Sequence, residues 1–293
     1  MTHAFTGAGV ALVTPFNEDK GIDYSALEIL VEAQISGGID YLVVLGTTAE
    51  TPALSEIEKK EIVRFVIEKN AGRLKIVVGM GSNNTMSLVE SIKNTDFKGI
   101  DAILSVTPYY NKPTQEGLFQ HFKMVVEACP IPVILYNVPG RTGVNMDADT
   151  TIRIAHLSDK VVAVKEASGD LGQFAKIIAN APDYFKVISG DDSLTLPSVT
   201  MGSIGVISVI ANALPEKLSQ LTHASLSGNI ALASLLHLQM AEMLKLIFRE
   251  GNPGGVKALM ETLGTAKNQV RLPLVPVSSA TYTLIEKELN KIR

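Results

Sequence analysis

Short runs of valine, isoleucine, leucine and alanine recur along most of the chain, each followed by a stretch of helical period, and this alternation narrows the fold more than any single motif. The runs are Gly9 to Val13, Tyr41 to Leu45, Ile76 to Val78, Ala102 to Val106, Val133 to Tyr136, Val161 to Lys165, Val187 to Ser189 and Val206 to Val209. Runs such as Val161 to Val164 are apolar at successive positions, so both faces expect burial, as in a parallel sheet covered by helices. Between them, Tyr24 to Ile35 gathers Leu27, Leu30, Val31 and Ile35 on one helical face, and Ser55 to Glu68 does the same with Ile57, Ile62, Phe65 and Val66. Ser55 and Glu58 have the spacing of a capping box. Thr114, Asp147, Asp170 and Ser193 can each cap a further helix, and Pro215 suits a first turn. Eight strands with helices between them predict an α/β chain whose residues 1–227 form a (β/α)8 TIM barrel.

The remainder differs in kind. Asn229 to Arg249 reads as a helix, Asn252-Pro253-Gly254-Gly255 as a break, a second helix runs to about Leu263, and a third begins near Ser278 after Leu272 to Pro276. Residues 228–293 are therefore expected to be a C-terminal helical domain packed on the barrel. A chain of 293 residues that is 46% hydrophobic can bury a large core and is not disordered.

Composition also excludes classes of function. A net charge of −4 without basic clusters, and no tryptophan, argue against a nucleic-acid partner. Five scattered histidines with no HExxH, and one cysteine and hence no CxxC, argue against a metal site built by the protein. That cysteine, Cys129, precedes Pro130 and reads as a helix end rather than a reactive thiol. No uninterrupted apolar run approaches the roughly 18 to 20 residues of a membrane span, and the first residues lack a basic segment and a cleavage site. The expectation is a cytoplasmic protein without a membrane partner.

Active sites of such barrels lie on the loops after the strands' C-terminal ends. The sixth run ends in Lys165, which has two readings. It can be a buried ion pair, with Glu166 the obvious suspect although neighbouring strand residues point to opposite faces. Alternatively, an amine dehydrated at an apolar rim is a nucleophile toward carbonyls. Gly46-Thr47-Thr48-Ala49-Glu50 follows the second run and offers two hydroxyls and free backbone N–H groups suited to a small carboxylate, or simply a capped turn. Gly79-Met80-Gly81 imitates the start of a dinucleotide fingerprint, but the third glycine is missing and NAD is rejected. The fourth loop presents Tyr109 and Tyr110, which can serve chemistry, subunit packing or both. The fifth carries Tyr136, a usable proton shuttle, and Arg141, a bidentate carboxylate clamp. Asp191-Asp192 after the seventh run reads as a helix cap before it reads as a metal site. Gly190 and Ile207 leave room and an apolar wall at the last two strand ends.

Five of these segments together, Gly46-Thr47-Thr48-x-Glu50, Thr107-Pro108-Tyr109-Tyr110-Asn111, Tyr136-Asn137-Val138-Pro139-x-Arg141-Thr142-Gly143, Val164-Lys165-Glu166-Ala167-Ser168-Gly169 and Ser189-Gly190-Asp191, resemble the dihydrodipicolinate (4-hydroxy-tetrahydrodipicolinate) synthases in order and spacing. These belong to a superfamily of pyruvate-dependent lysine aldolases that includes N-acetylneuraminate lyase, and the resemblance covers essentially the whole chain. It implies condensation of pyruvate with L-aspartate 4-semialdehyde, on the route to diaminopimelate and lysine. Lys165 would form the Schiff base, and Tyr136 would shuttle protons through Thr47 to a Tyr110 supplied by the neighbouring subunit of a homotetramer built from tight dimers. Thr48 and Ile207 would bound the pyruvate pocket, Gly190 its floor, and Arg141 would hold the semialdehyde carboxylate. No cofactor is implied, because the lysine imine is its own electron sink. An aldolase acting on a sialic or keto-deoxy sugar acid would share the lysine and tyrosine but not Arg141. A barrel that binds pyruvate without turnover would not need the whole set. The resemblance also covers part of a lysine-feedback site, where Asn83 and Tyr109 match. Glu56 and Lys59 stand where strongly inhibited forms carry histidines, and Ser87 stands where they carry a glutamate, so weak or absent inhibition by L-lysine is expected.

Overall fold

A computed structural model describes residues 3–292. Among these, eight parallel strands close a barrel in chain order: β1 (Gly7–Ala11), β2 (Tyr41–Val44), β3 (Lys75–Gly79), β4 (Ala102–Val106), β5 (Val133–Asn137), β6 (Val161–Glu166), β7 (Lys186–Ser189) and β8 (Gly205–Ser208), with β8 pairing back to β1. The TIM barrel expected from the alternation is the fold. Side chains point alternately inward and outward along each strand. Ala11, Tyr41, Val43, Leu104, Ile134 and Ile188 pack together inside the barrel. Outward residues such as Leu42, Leu135 and Val164 pack in separate clusters with the surrounding helices. Both faces are dry, which is why the strands read as unbroken apolar runs.

Several boundaries differ from expectation. β1 ends at Ala11 rather than Val13, because the Val13 N–H donates to Asn212 Oδ1 at 2.9 Å instead of to a strand. Between β5 and β6 the register steps, Val133 facing Val161 but Ile134 facing Ala163. A helix not located from sequence, Thr85–Lys93, follows β3; Asn84 caps it by accepting from Ser87 N, and its apolar set, Leu88, Val89 and Ile92, is too short to give a clear period. The helix expected from Ser193 opens as a tight turn, Asp192–Leu194, capped by Asp191 and continued by Thr195–Thr200. Gly254 and Gly255 lie within a helix, Gly254–Leu263, with Pro253 as its cap, rather than in a break.

The C-terminal helices are Ile230–Phe248, Gly254–Leu263 and Ser279–Ile292. The first has 19 residues and a mean hydropathy of 1.4, enough by length and composition alone to cross a membrane, although His237, Gln239, Glu242 and Lys245 leave no uninterrupted apolar run of that length. Its buried side, including Leu236, Met240, Met243 and Ile247, joins one apolar cluster that also contains Val10 and Leu42 of the barrel and Ile285 and Leu289 of the last helix.

Candidate active site

The period of two decides which strand-end residues face the barrel axis. Tyr136 and Ile207 continue the inward sets of β5 and β8, and Lys165 continues the inward series of Ala163 on β6. Register then places Tyr136 opposite Lys165, and Lys165 opposite Ile188. Lys165 is 4% exposed, and its Nζ lies 4.5 Å from the centre of the Tyr136 ring. Gly190, just past β7, gives the lysine its room: a Cβ there would stand 2.7 Å from Ala167 Cβ and 3.1 Å from Lys165 Cε. Lys165, Tyr136, Gly190 and Ile207 are thus brought to one rim.

Glu166 is not the partner of Lys165. As alternation requires, it turns to the outer face, where its carboxylate accepts from Asn137 Nδ2 at 3.0 and 3.1 Å, Gln173 Nε2 at 2.8 Å and Ser168 N at 2.8 Å. Burial pushes its pKa up, against the pull of these donors.

The loop after β2 is held by other means. Thr51 Oγ1 donates to the carbonyls of Leu45 and Gly46, both at 2.9 Å, and Thr14 Oγ1 to that of Ala49 at 2.8 Å. These bonds brace the turn Thr47–Ala49, in which Thr47 is half-buried and Thr48 buried. At the end of the turn Glu50, at φ 56°, is buried against Lys257 Nζ at 2.6 Å and Arg271 N at 2.8 Å. Lys257 also donates to the Gln269 carbonyl at 2.7 Å and lies 4.2 Å from the centre of the Phe16 ring. Its burial lowers the pKa of the ammonium, with the Glu50 carboxylate opposing. Gly79 also has its explanation here, since a Cβ on it would strike the Leu45 carbonyl oxygen at 2.1 Å; the glycine lets the β2 loop cross the end of β3.

A residue that sequence reasoning did not select, Asn252, joins two loops of the mouth. Its Nδ2 donates to Thr48 Oγ1 at 2.9 Å, and its carbonyl accepts from Arg141 Nη2 at 3.3 Å. Arg141 sits on the short helix Pro139–Thr142, exposed to solvent. The only sequence sign of Asn252 was the turn signal around it.

The β4 loop is the exception. Its start is fixed, Thr107 N donating to the Tyr136 carbonyl at 3.0 Å, but the Tyr110 side chain is 84% exposed and its backbone holds φ 74°, unusual for a residue other than glycine. Tyr109 is exposed as well. Of the site residues predicted from sequence, Tyr110 and Arg141 lie exposed in the single chain. Asp191 caps its turn, as expected, while the buried Asp192 accepts from Val209 N at 2.9 Å and Ile210 N at 3.1 Å, anchoring the chain just after β8. Among the described residues no group of three or more His, Cys, Asp or Glu side chains comes together as a metal site would require.

The geometry has close counterparts. A family model described as the dihydrodipicolinate synthetase family matches residues 4–292. A 4-hydroxy-tetrahydrodipicolinate synthase of Parabacteroides distasonis is 52% identical over 286 residues, covering 98% of this chain and 96% of its own. Among solved structures, the dihydrodipicolinate synthase of Thermotoga maritima aligns with a TM-score of 0.96 at 39% identity over 99% of both chains. The chloride-inhibited enzyme of Acinetobacter baumannii, complexed with pyruvate, gives 0.94 at 38% identity, covering 98% of this chain and 99% of its own. Matched almost end to end in both sequence and barrel, the chain belongs to the dihydrodipicolinate synthetase family.

Proposed function

We propose that the chain condenses pyruvate with L-aspartate 4-semialdehyde to give 4-hydroxy-tetrahydrodipicolinate through a Schiff base on Lys165. The observation that carries the reading is a lysine 4% exposed at the barrel mouth, lying beside Tyr136 with space left by Gly190. The Lys165 amine attacks C2 of pyruvate, and water leaves to give the imine. Loss of a C3 proton converts the imine to an enamine, whose carbon adds to the aldehyde carbon while the aldehyde oxygen takes up a proton. Attack of the semialdehyde's own amino group on the imine carbon closes the ring and returns the free lysine. Tyr136 moves the protons, with Thr47 and Tyr110 completing the relay. Thr48 and Ile207 bound the pyruvate pocket, Gly190 forms its floor, and Arg141 receives the carboxylate of the semialdehyde. The pyruvate complex of the Acinetobacter relative supports the choice of first substrate.

Tyr110 reaches the relay from a neighbouring subunit in this reading, within a homotetramer of tight dimers. Its exposure and its positive φ support a partner surface, because a strained backbone persists where its surroundings over-determine it. The compartment implied is the cytoplasm. Arg141 favours the semialdehyde over a polyhydroxylated sugar, which needs hydrogen-bond partners rather than a cation. Coupled turnover assays with pyruvate plus aspartate semialdehyde, set against N-acetylneuraminate cleavage, test the choice: the semialdehyde is expected to be the better substrate by orders of magnitude, and preference for the sugar acid defeats the assignment.

A further inference from the structure

We infer that Glu166 is a positioning residue for the Schiff-base reaction: its carboxylate ties the ends of β5 and β6 together from behind, so that Tyr136 and Lys165 stay in register on the front. The inference rests on the assignment of Lys165 as the nucleophile. Tyr136 faces Lys165 across the ladder, and the next pair along it, Asn137 and Glu166, joins through side chains on the opposite face. The backbone repeats the tie, Ala167 N donating to the Asn137 carbonyl at 2.9 Å and Gly190 N to the Glu166 carbonyl at 2.7 Å, so three strand ends that carry site residues meet at Glu166. Gln173 adds a bond from the following helix. Asn137 extends the network past Arg141, donating to Asn145 Oδ1 at 2.7 Å and accepting from Met146 N at 2.9 Å.

All the hydrogen-bond donors on this carboxylate are uncharged. A buried carboxylate satisfied only by neutral donors loses its hydration without a cation to offset the loss, and well-packed apolar residues usually serve stability as well or better. Several directed bonds converging on one side chain instead fix geometry. The network touches no reacting atom, and its effect passes through the strands to Lys165 and Tyr136, where a misplacement of an ångström is costly.

The test separates positioning from folding by counting active sites. Wild type, Glu166→Gln and Val164→Ala are compared for Tm, for the fraction of Lys165 trapped by borohydride with pyruvate, and for turnover per trapped lysine. Val164, on the same outer face but in the apolar cluster, controls for lost packing. Glu166→Gln is expected to lower kcat per trapped lysine about 10- to 100-fold, with the pyruvate KM changed much less. Val164→Ala should lower Tm and leave turnover per trapped lysine unchanged. Equal turnover per trapped lysine in Glu166→Gln and wild type overturns the role of Glu166 while leaving the Schiff-base reading intact. Absence of a wild-type adduct overturns both. Should Glu166→Gln fail to fold, Gln173→Met removes one donor from the same carboxylate; a smaller fall in turnover per trapped lysine supports the role, and no fall overturns it.

Discussion

The mouth of the barrel has two halves built on opposite principles. On the β5 to β7 side, three of the predicted site residues are fixed within the chain: Lys165 and Tyr136 by register, Gly190 by its backbone bond to Glu166, and all three by the polar network behind them. On the β4 side, Tyr109 and Tyr110 stand in solvent on a loop with positive φ at Tyr110 and Lys112. The first group is held by contacts within the chain, whereas the two tyrosines of the second are exposed. On the function proposed above, the imine forms in the first half, and the proton relay is the part that depends on assembly.

The largest expected effect that separates the halves is that of Tyr110→Phe. It should reduce kcat by about 100-fold, the scale of a lost general acid-base group, while pyruvate affinity stays nearly constant because the imine half is untouched. Steady-state kinetics check this, and unchanged turnover returns Tyr110 to packing alone. Arg141→Ala is next. It should raise the semialdehyde KM about 10- to 100-fold, corresponding to a charge-assisted bond of roughly 1.5 to 3 kcal/mol, with little change in imine formation. Equal loss for both substrates would refute the clamp.

What the sequence made legible follows the same division. The barrel and the strand ends that carry Tyr136, Lys165 and Ile207 were readable because apolar runs are local patterns, whereas the shared inward facing of the three comes from register and packing. Strand alternation counted against a pair between Lys165 and Glu166 without excluding it, and the bonds of Glu166 to Asn137, Gln173 and Ser168 settle the point. Asn252 was not readable: it reaches Thr48 and Arg141 from the C-terminal helices, and no local pattern records contacts between such distant segments. The same holds for the Lys257 to Glu50 pair that closes the β2 loop. Gly79 looked like part of a nucleotide motif, yet its reason is the Leu45 carbonyl that crosses it. For Tyr110 the loop position left chemistry and subunit packing both open, since a loop tyrosine has no periodic partner to predict its burial.

The smallest expected effect lies on the exposed side as well. L-Lysine should inhibit weakly or not at all, because Ser87 offers no carboxylate for its ammonium and Glu56 is already paired with Lys59 at 2.7 Å. The absent charge-assisted bond is again worth about 1.5 to 3 kcal/mol. Titration of L-lysine against initial rate at saturating pyruvate decides it, and substantial inhibition at submillimolar lysine would mean that the exposed half carries a feedback site in another form.

The central claim is that Lys165 is the covalent nucleophile, and borohydride reduction in the presence of pyruvate tests it most directly. Peptide mapping by mass spectrometry should find the reduced pyruvyl adduct on Lys165, formed only when pyruvate is present and lost in Lys165→Ala. No adduct, or an adduct on the exposed Lys112 instead, would contradict the account.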